Sequence, residues 1–508
     1  MENNTALVLI NKNGSTKTYS WLHYSNKAKH ASQALIHFGI SKGDFVVVAA
    51  PNLPESFFVM LGIIAIGAVP VPINIPLLKE PGQKEFRHIL NDCRPKLVLA
   101  SSCLSKYLTD TEHTTFEGLL LRGSFIQESA DDKIREAETN PDKLLIMLYT
   151  SGTTGYPKGV MLSNKNISDR VEAIIKELRV TRQERIFSYL SLGHISELIA
   201  TFFGQLGGGY TVFFSEYSGE ILENREQFRV AFPGILQTVK PTIFLAVPKV
   251  WENMRKNIEK KTRFLPIQLN CRGIINNFVV RAILKKIGLS RTRIFVSAAA
   301  KLSTEDHEFF ASIGMHIHDI YGQTETGGPL LLNGKPIGAT FVTISRDPNR
   351  EIMVTGQNIM LGYYNNKTAT EKVLDGGIYH TSDIGRIGPD GRIFYAGRLG
   401  DKVKNAQGEF VDPEKIEELE NEIKQIRKVD EVVIFSEGKP RPVALIFSSK
   451  PNRDMELSLK KLLPQIGQGF YKIDSFLLVN SNLLELTPTL KVRRKAIFIK
   501  FEKEIEKL

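Results

Sequence analysis

Near residue 150, three glycines, four aliphatic hydroxyl side chains and one lysine crowd into Thr150-Ser151-Gly152-Thr153-Thr154-Gly155-Tyr156-Pro157-Lys158-Gly159. Glycine lets the main chain approach a polyanion closely and turn its amides toward it; hydroxyls add donors, and lysine adds charge. The combination suits the phosphates of a nucleoside triphosphate. It is not a Walker A loop, because no Gly-Lys-Ser/Thr closes it and Gly159 follows Lys158. A plain surface turn would share its Ser/Thr/Gly composition.

Further segments supply groups that this loop lacks. An apolar run ends in Tyr321-Gly322-Gln323-Thr324-Glu325. An aromatic ring can cover an adenine face, and a carboxylate can hold the Mg²⁺ that accompanies ATP, although an ordinary turn has the same form. Tyr379-His380-Thr381-Ser382-Asp383 places an acid at an expected strand-to-turn junction. Asp383 there would accept bonds from ribose hydroxyls or close an Asx turn. Gly397-Arg398-Leu399-Gly400-Asp401-Lys402-Val403-Lys404 is a charged cluster or a solvated interdomain turn. Leu486-Thr487-Pro488-Thr489-Leu490-Lys491-Val492-Arg493-Arg494-Lys495 is a basic segment near the C-terminus, which a solvated or membrane-facing tail would also explain.

These groups need a scaffold, and the pattern of apolar runs supplies one. The first part alternates short strands (44–49, 69–73, 96–100) with helices (21–38, 53–67, 83–92), and strands resume at 186–190, 210–214, 243–247 and 294–297. Strands separated by helices imply parallel sheets covered on both faces, a doubly wound α/β architecture. Ligands in such sheets sit beyond the strand carboxyl ends, where the loop after the expected 143–149 strand would lie. From about residue 334 short strands and turns suggest a small β subdomain. After Gly397 a compact α+β unit follows, with helices at 413–422 and 457–463, strands at 432–435 and 442–448, and a helical tail. The expected division is 1–399 and 400–508.

At 508 residues the chain exceeds a single core, and 42% hydrophobic with 24% charged residues is an ordinary globular composition. A net charge of +11 favours anionic partners such as nucleotides, coenzymes or lipid headgroups, although solvated lysines alone would account for much of it. The basic residues are dispersed, with modest clusters at 285–293 and 491–495 and no nucleic-acid reading module. Nucleic acid is therefore not an expected partner. Cys93, Cys103 and Cys271 have no CxxC spacing, which argues against a disulfide framework or zinc site and suits a reducing cytosol. The apolar stretch 57–73 approaches the length of a membrane span, but Gly62, Gly67, Pro70 and Pro72 interrupt it. A buried helix ending near Gly67 and then a buried strand are expected instead. No secretory signal is evident, so a cytoplasmic site is expected, with peripheral membrane contact left open.

Taken in order, these segments resemble the signature motifs of the adenylate-forming superfamily, which comprises acyl-CoA synthetases, luciferases and peptide-synthetase adenylation domains. Within it the chain is most similar to long-chain fatty acyl-CoA synthetases, on the strings Tyr189-Leu190-Ser191-Leu192-Gly193-His194-Ile195-Ser196-Glu197, Lys240 to Glu252 and Thr487 to Lys491. The resemblance implies a large N-terminal domain, a small mobile C-terminal domain, and two chemical steps. A fatty carboxylate attacks the α-phosphorus of ATP to give acyl-AMP and pyrophosphate; the thiol of coenzyme A then displaces AMP.

By the same resemblance Thr150, Ser151, Thr153, Thr154 and Lys158 would hold the β- and γ-phosphates. Thr324 would contact the α-phosphate and Glu325 would bind Mg²⁺. Tyr321 and the 298–300 stretch would flank adenine, and Asp383 and Arg398 would hold the ribose. Lys491 would bridge the attacking carboxylate and the α-phosphate as the main adenylation catalyst. Rotation about a hinge at Gly400 would then withdraw Lys491 and bring the segment from Lys404 to Gly408 toward the thiol. Four positions depart from the family pattern: Ser382 replaces Gly, Ser191 replaces Pro, Gln407 replaces the first Gly of a pair, and Lys301 replaces Pro. None removes a charged catalytic group. Gln407 leaves the acceptor open between coenzyme A and a carrier-protein phosphopantetheine. A ligase that stops at acyl-AMP and a catalytically idle scaffold would carry the same fold.

Overall fold

A computed structural model describes residues 3–126, 140–150, 156–220, 222–262, 274–401, 403–407, 411–485 and 492–508. The chain forms two compact units, Met1–Val342 with Val354–His380, and Thr343–Met353 with Thr381–Leu508.

In the first unit, Phe45–Ala49 lies between Val69–Pro72 and Leu97–Ala100 in an all-parallel sheet that Thr114–Thr115 extends. Val46, Val47 and Val48 are wholly buried, as expected of a strand covered on both faces. The connecting helices are locally encoded. Trp21–His37 starts where the Ser20 side chain accepts from the His23 amide, and Pro54–Ala65 carries proline in its first turn. Gly62 packs Pro54–Ala65 against Trp21–His37, for a Cβ there would lie 2.6 Å from that of Ala31. The apolar 57–73 stretch is thus a buried helix followed by the buried strand Val69–Pro72. No helix among the described residues is long and apolar enough to cross a membrane.

A second sheet orders Thr16–Ser20, Thr5–Ile10, Thr211–Ser215 and Arg185–Phe187, and a third runs Ile243–Ala246, Ile294–Ser297, Ile317–Gln323, Gly328–Leu332 and Lys335–Pro336. In the third sheet the first three strands are parallel and the return strand Gly328–Leu332 is antiparallel. The doubly wound expectation therefore holds with antiparallel edges added.

One expectation is corrected. The strand before the loop at Thr150 does not belong to a parallel sheet. Leu144–Thr150 pairs antiparallel with Lys158–Ser163, Thr150 opposite Lys158, and Gly362–Tyr363 completes a three-stranded sheet. Thr150 and Lys158, on either side of the phosphate-loop candidate, therefore pair with each other. Lys158 to Ser163 pairs back because Val160 and Leu162 are fully buried and Gly159 has no room for a side chain: a Cβ would stand 2.9 Å from the Met147 sulfur.

The second unit contains Glu431–Phe435, Val443–Ser448 and Ser475–Asn480 in one sheet, with helices Pro413–Lys424, Arg453–Leu462 and Arg494–Glu506. Ser475–Asn480, parallel to Val443–Ser448, was not expected from the sequence; its half-buried side chains blur the strand period. The expected division at 399/400 lies within the continuous Thr381–Leu508 part of this unit.

Candidate active site

Strand pairing sets Thr150 opposite Lys158 on two antiparallel strands. His88, from the helix Lys84–Cys93, braces the start of the second strand. Its Nε2–H donates to the Pro157 carbonyl at 3.0 Å, and its ring stacks on Tyr156 with centroids 4.7 Å apart. Ser151, Thr153 and Thr154 lie outside the described residues, as do Gly408 and Lys491.

Tyr321 sits on Ile317–Gln323, opposite Leu331, and the strand runs into the 3₁₀ turn Thr324–Thr326 that carries Thr324 and Glu325. Thr326 is fully buried and fixes the turn. Its hydroxyl lies 3.0 Å from the Gln323 and Gly328 carbonyls and accepts from the Gln323 amide. The Glu325 carboxylate accepts a 2.9 Å bond from the Tyr363 hydroxyl, and the Tyr363 ring centroid is 4.9 Å from the Lys158 ammonium. The expected phosphate lysine and metal carboxylate are thereby joined through one tyrosine. Ala299, in the expected adenine-flanking stretch, adopts φ 75°, a left-handed conformation costly for a residue with a Cβ.

A shell of buried polar side chains sets the spacing of these parts. Asn166 donates to the carbonyls of Gln357 and Ile359 at 2.7 and 2.8 Å, and Asn358 donates to the Thr326 carbonyl at 3.1 Å. Arg170, with no exposed surface, donates to the Pro329 carbonyl and the Thr340 hydroxyl and pairs with Asp169. Burial lowers its pKa and the Asp169 carboxylate opposes that effect. Sequence reasoning missed all three, and missed Tyr363 and His88, because each is defined by partners far along the chain.

In the second unit Asp383 and Arg398 face each other across Ile378–Ile387 and Ile393–Arg398, with Arg398 Nε 3.1 Å from Asp383 Oδ1. Asp383 lies within a strand and is 1% exposed, so the expected strand-to-turn junction is corrected. The strand continues through it because Thr381 and Ile384 are buried on the sheet. Ser382, which replaces the family's glycine, holds φ 56° while its amide donates to Glu351. Lys404 is exposed, and its carbonyl accepts from the Gly438 amide. Ser191, in place of proline, accepts from the Gly193 amide and donates to Asn74.

An apolar cavity of about 60 Å³ opens within the first unit, lined by Val171, Ile175, Ile199, Ala298, Ile320 and Pro329 among others. Ile199 belongs to a π-helical turn, Leu198–Phe203, whose wider ladder leaves the Ala200 carbonyl to accept from the Tyr210 hydroxyl at 2.6 Å.

Comparison with known proteins agrees with this architecture. A family described as "AMP-binding enzyme" matches residues 1–364, and one described as "AMP-binding enzyme C-terminal domain" matches residues 401–508. The long-chain-fatty-acid–CoA ligase ACSBG2 of Rattus norvegicus is 27% identical over 479 residues, 82% of this chain and 70% of that protein. ACSBG1 of Bos taurus is 27% identical over 80% of this chain and 63% of its own length. Among solved structures, the O-succinylbenzoate coenzyme A synthetase MenE of Bacillus subtilis in complex with AMP superposes with a TM-score of 0.74 at 21% identity, covering 97% of this chain and 94% of that one. The McyG A-PCP structure with phenylalanyl-adenylate gives 0.79 at 17% identity over 99% and 82%.

Proposed function

The chain belongs to the AMP-binding enzyme family, and on that premise we propose that it activates a long-chain fatty acid, first to acyl-AMP and then to the coenzyme A thioester. Acid–thiol ligase activity follows from the family and from the curated ligases to which the chain is similar. The observation that carries the fatty-acid reading is the similarity to curated long-chain-fatty-acid–CoA ligases, and the small cavity is in keeping with an apolar acyl group. Its wall is almost wholly apolar; one lining residue, Ala298, belongs to the 298–300 stretch assigned to adenine, and another, Ile320, directly precedes the Tyr321–Glu325 segment assigned to the nucleotide.

A carboxylate is a poor acyl donor because its oxygen leaves poorly, and transfer to AMP corrects that. The protein's part is in-line positioning and neutralisation of charge at phosphorus. Thr150, Ser151, Thr153, Thr154 and Lys158 would hold the departing pyrophosphate, and Thr324 would orient the α-phosphate. Tyr321 would cover adenine, while Asp383 and Arg398 would take the ribose hydroxyls. Glu325 offers hard oxygen donors, and Mg²⁺ is commonly held through one or two carboxylates together with substrate phosphates, so the residue fits that ion. When bound, the ion would offset phosphate charge. Lys491 would bring the carboxylate and the α-phosphate together, and Lys404 and Gly408 would line the path of the thiol, with Gly400 as the hinge between steps.

Pyrophosphate exchange into ATP, measured over straight-chain acids of graded length, tests the substrate. Exchange limited to aryl acids would overturn it. Thioester formation with coenzyme A against a holo-carrier protein tests the acceptor. Lys491→Ala should lose about 10²–10³ in acyl-AMP formation, as is typical for one preorganised charge, yet retain thioester formation from supplied acyl-AMP. Equal loss in both half-reactions would refute that role.

A further inference from the structure

We propose that Tyr363 is a positioning residue that holds Lys158 and Glu325 ready for the nucleotide and its metal ion, an inference that rests on the nucleotide roles assigned above. The tyrosine is fixed by main-chain bonds on each side. Tyr363 is in register with Val160 and Gly362 with Met161; the Leu361 amide donates to the Met161 carbonyl at 2.9 Å, and the Tyr364 amide to the Gly159 carbonyl at 2.8 Å. Its own amide donates to the Thr370 hydroxyl at 2.9 Å. Gly362 reaches this register at φ 137°, where a Cβ would stand 2.9 Å from Thr370 Cγ2. The Met360 amide donates to the Glu325 carbonyl at 2.9 Å and so ties the same segment to the 3₁₀ turn.

From this anchored backbone one side chain, 8% exposed, reaches both charged groups. The ring face carries negative quadrupole density and draws the Lys158 ammonium, 4.9 Å from its centroid. The hydroxyl donates to Glu325 Oε1 at 2.9 Å and so fixes its rotamer. Side chains that orient a metal-binding carboxylate commonly alter metal affinity about 10–100-fold when removed. The two contacts use different parts of the tyrosine, so they separate by substitution. Tyr363→Phe keeps the ring and deletes the hydroxyl; Tyr363→Leu deletes both.

The test is calorimetric ATP binding to the full chain across a Mg²⁺ series and in EDTA. Tyr363→Phe should raise the Mg²⁺ concentration for half-maximal tightening about 10-fold while leaving binding in EDTA unchanged. Tyr363→Leu should also weaken binding in EDTA. In a Glu325→Gln background, Tyr363→Phe should add no further change, because its effect passes through that carboxylate. A Mg²⁺-responsive wild type whose response Tyr363→Phe leaves within about twofold sinks the tyrosine's role alone. A wild type that binds ATP without regard to Mg²⁺ sinks the Glu325 assignment and this inference with it. Parallel weakening of both binding modes in Tyr363→Phe, tracking a fall in Tm, would identify a merely structural residue.

Discussion

Glu197 is a buried carboxyl group whose titration should be visible in the stability of the first unit. It is 1% exposed and sits at the entry to the π-helical turn Leu198–Phe203. Burial pushes its pKa up to about 7, against the opposing effect of its donors. Those donors are the Ser188 hydroxyl at 2.6 Å, the Thr201 hydroxyl at 3.1 Å and the Asn52 amide at 3.2 Å, together with the main-chain N–H groups of Tyr189 and Leu190. The unfolded chain releases this proton near pH 4.5 and the folded chain near 7. Between those limits the folded state binds more protons, so its stability falls as pH rises. Each pH unit is worth about 1.4 kcal/mol, and the whole interval therefore removes roughly 3 kcal/mol. Glu197→Gln is neutral throughout, and the Ser188 and Thr201 hydroxyls can rotate to accept from its amide. Other titrating groups cancel in the difference between the two proteins. The stability of the variant relative to wild type should therefore rise by about 3 kcal/mol between about pH 5 and about pH 8. Urea unfolding followed by tryptophan fluorescence measures it cleanly, because both tryptophans, Trp21 and Trp251, lie in the first unit. An equal difference at the two pH values would show that Glu197 does not titrate there, and the argument from burial would fail.

Two other substitutions follow from backbone geometry. Ser382→Gly removes a side chain from a left-handed residue at φ 56° and keeps the amide bond to Glu351; unfolding of the second unit should shift to higher denaturant by up to about 1 kcal/mol, and a loss would mean the serine is not strained. Gly204→Ala would set a Cβ 2.2 Å from the Ile199 carbonyl and 2.4 Å from the Tyr210 hydroxyl, at the cavity wall. It should cost about 1–3 kcal/mol and shift pyrophosphate exchange toward shorter acids; an unchanged chain-length profile would separate this cavity from the acyl group.

What could be read from the sequence was local. The 150–159 string, Tyr321 to Glu325, Asp383 and Arg398 lie in short segments, each of which alone also fits a turn, and their proposed roles come from their order along the chain and the family it resembles. Where such segments met a partner elsewhere, the sequence misled: Lys158 to Ser163 pairs back on Leu144–Thr150, and Asp383 lies within a strand, opposite Arg398. Tyr363 was invisible for the same reason. A Gly-Tyr pair has no evident function until Val160 and Glu325 are known to flank it. The proposed acyl side is harder still, since the cavity is a volume bounded by single residues from Val171 to Pro329.

Arg170 bears on both sides of the chemistry. An Asp-Arg pair on a helix reads as a solvated face, yet the guanidinium is wholly buried and holds the Pro329 carbonyl and the Thr340 hydroxyl. Pro329 lines the apolar cavity, and Thr340 in turn donates to Asn358, whose amide holds the Thr326 carbonyl in the turn that carries Glu325. One buried charge thus sets the distance between the cavity wall and the proposed metal carboxylate. Removing it leaves buried acceptors unpaired, which costs more than the bonds themselves contribute. Substitutions at the motif residues should therefore damage nucleotide handling alone, whereas substitutions in the Arg170–Thr340–Asn358 chain should disturb nucleotide and acyl handling together. The chemical groups are written in short motifs; their spacing is held by polar residues that no motif contains.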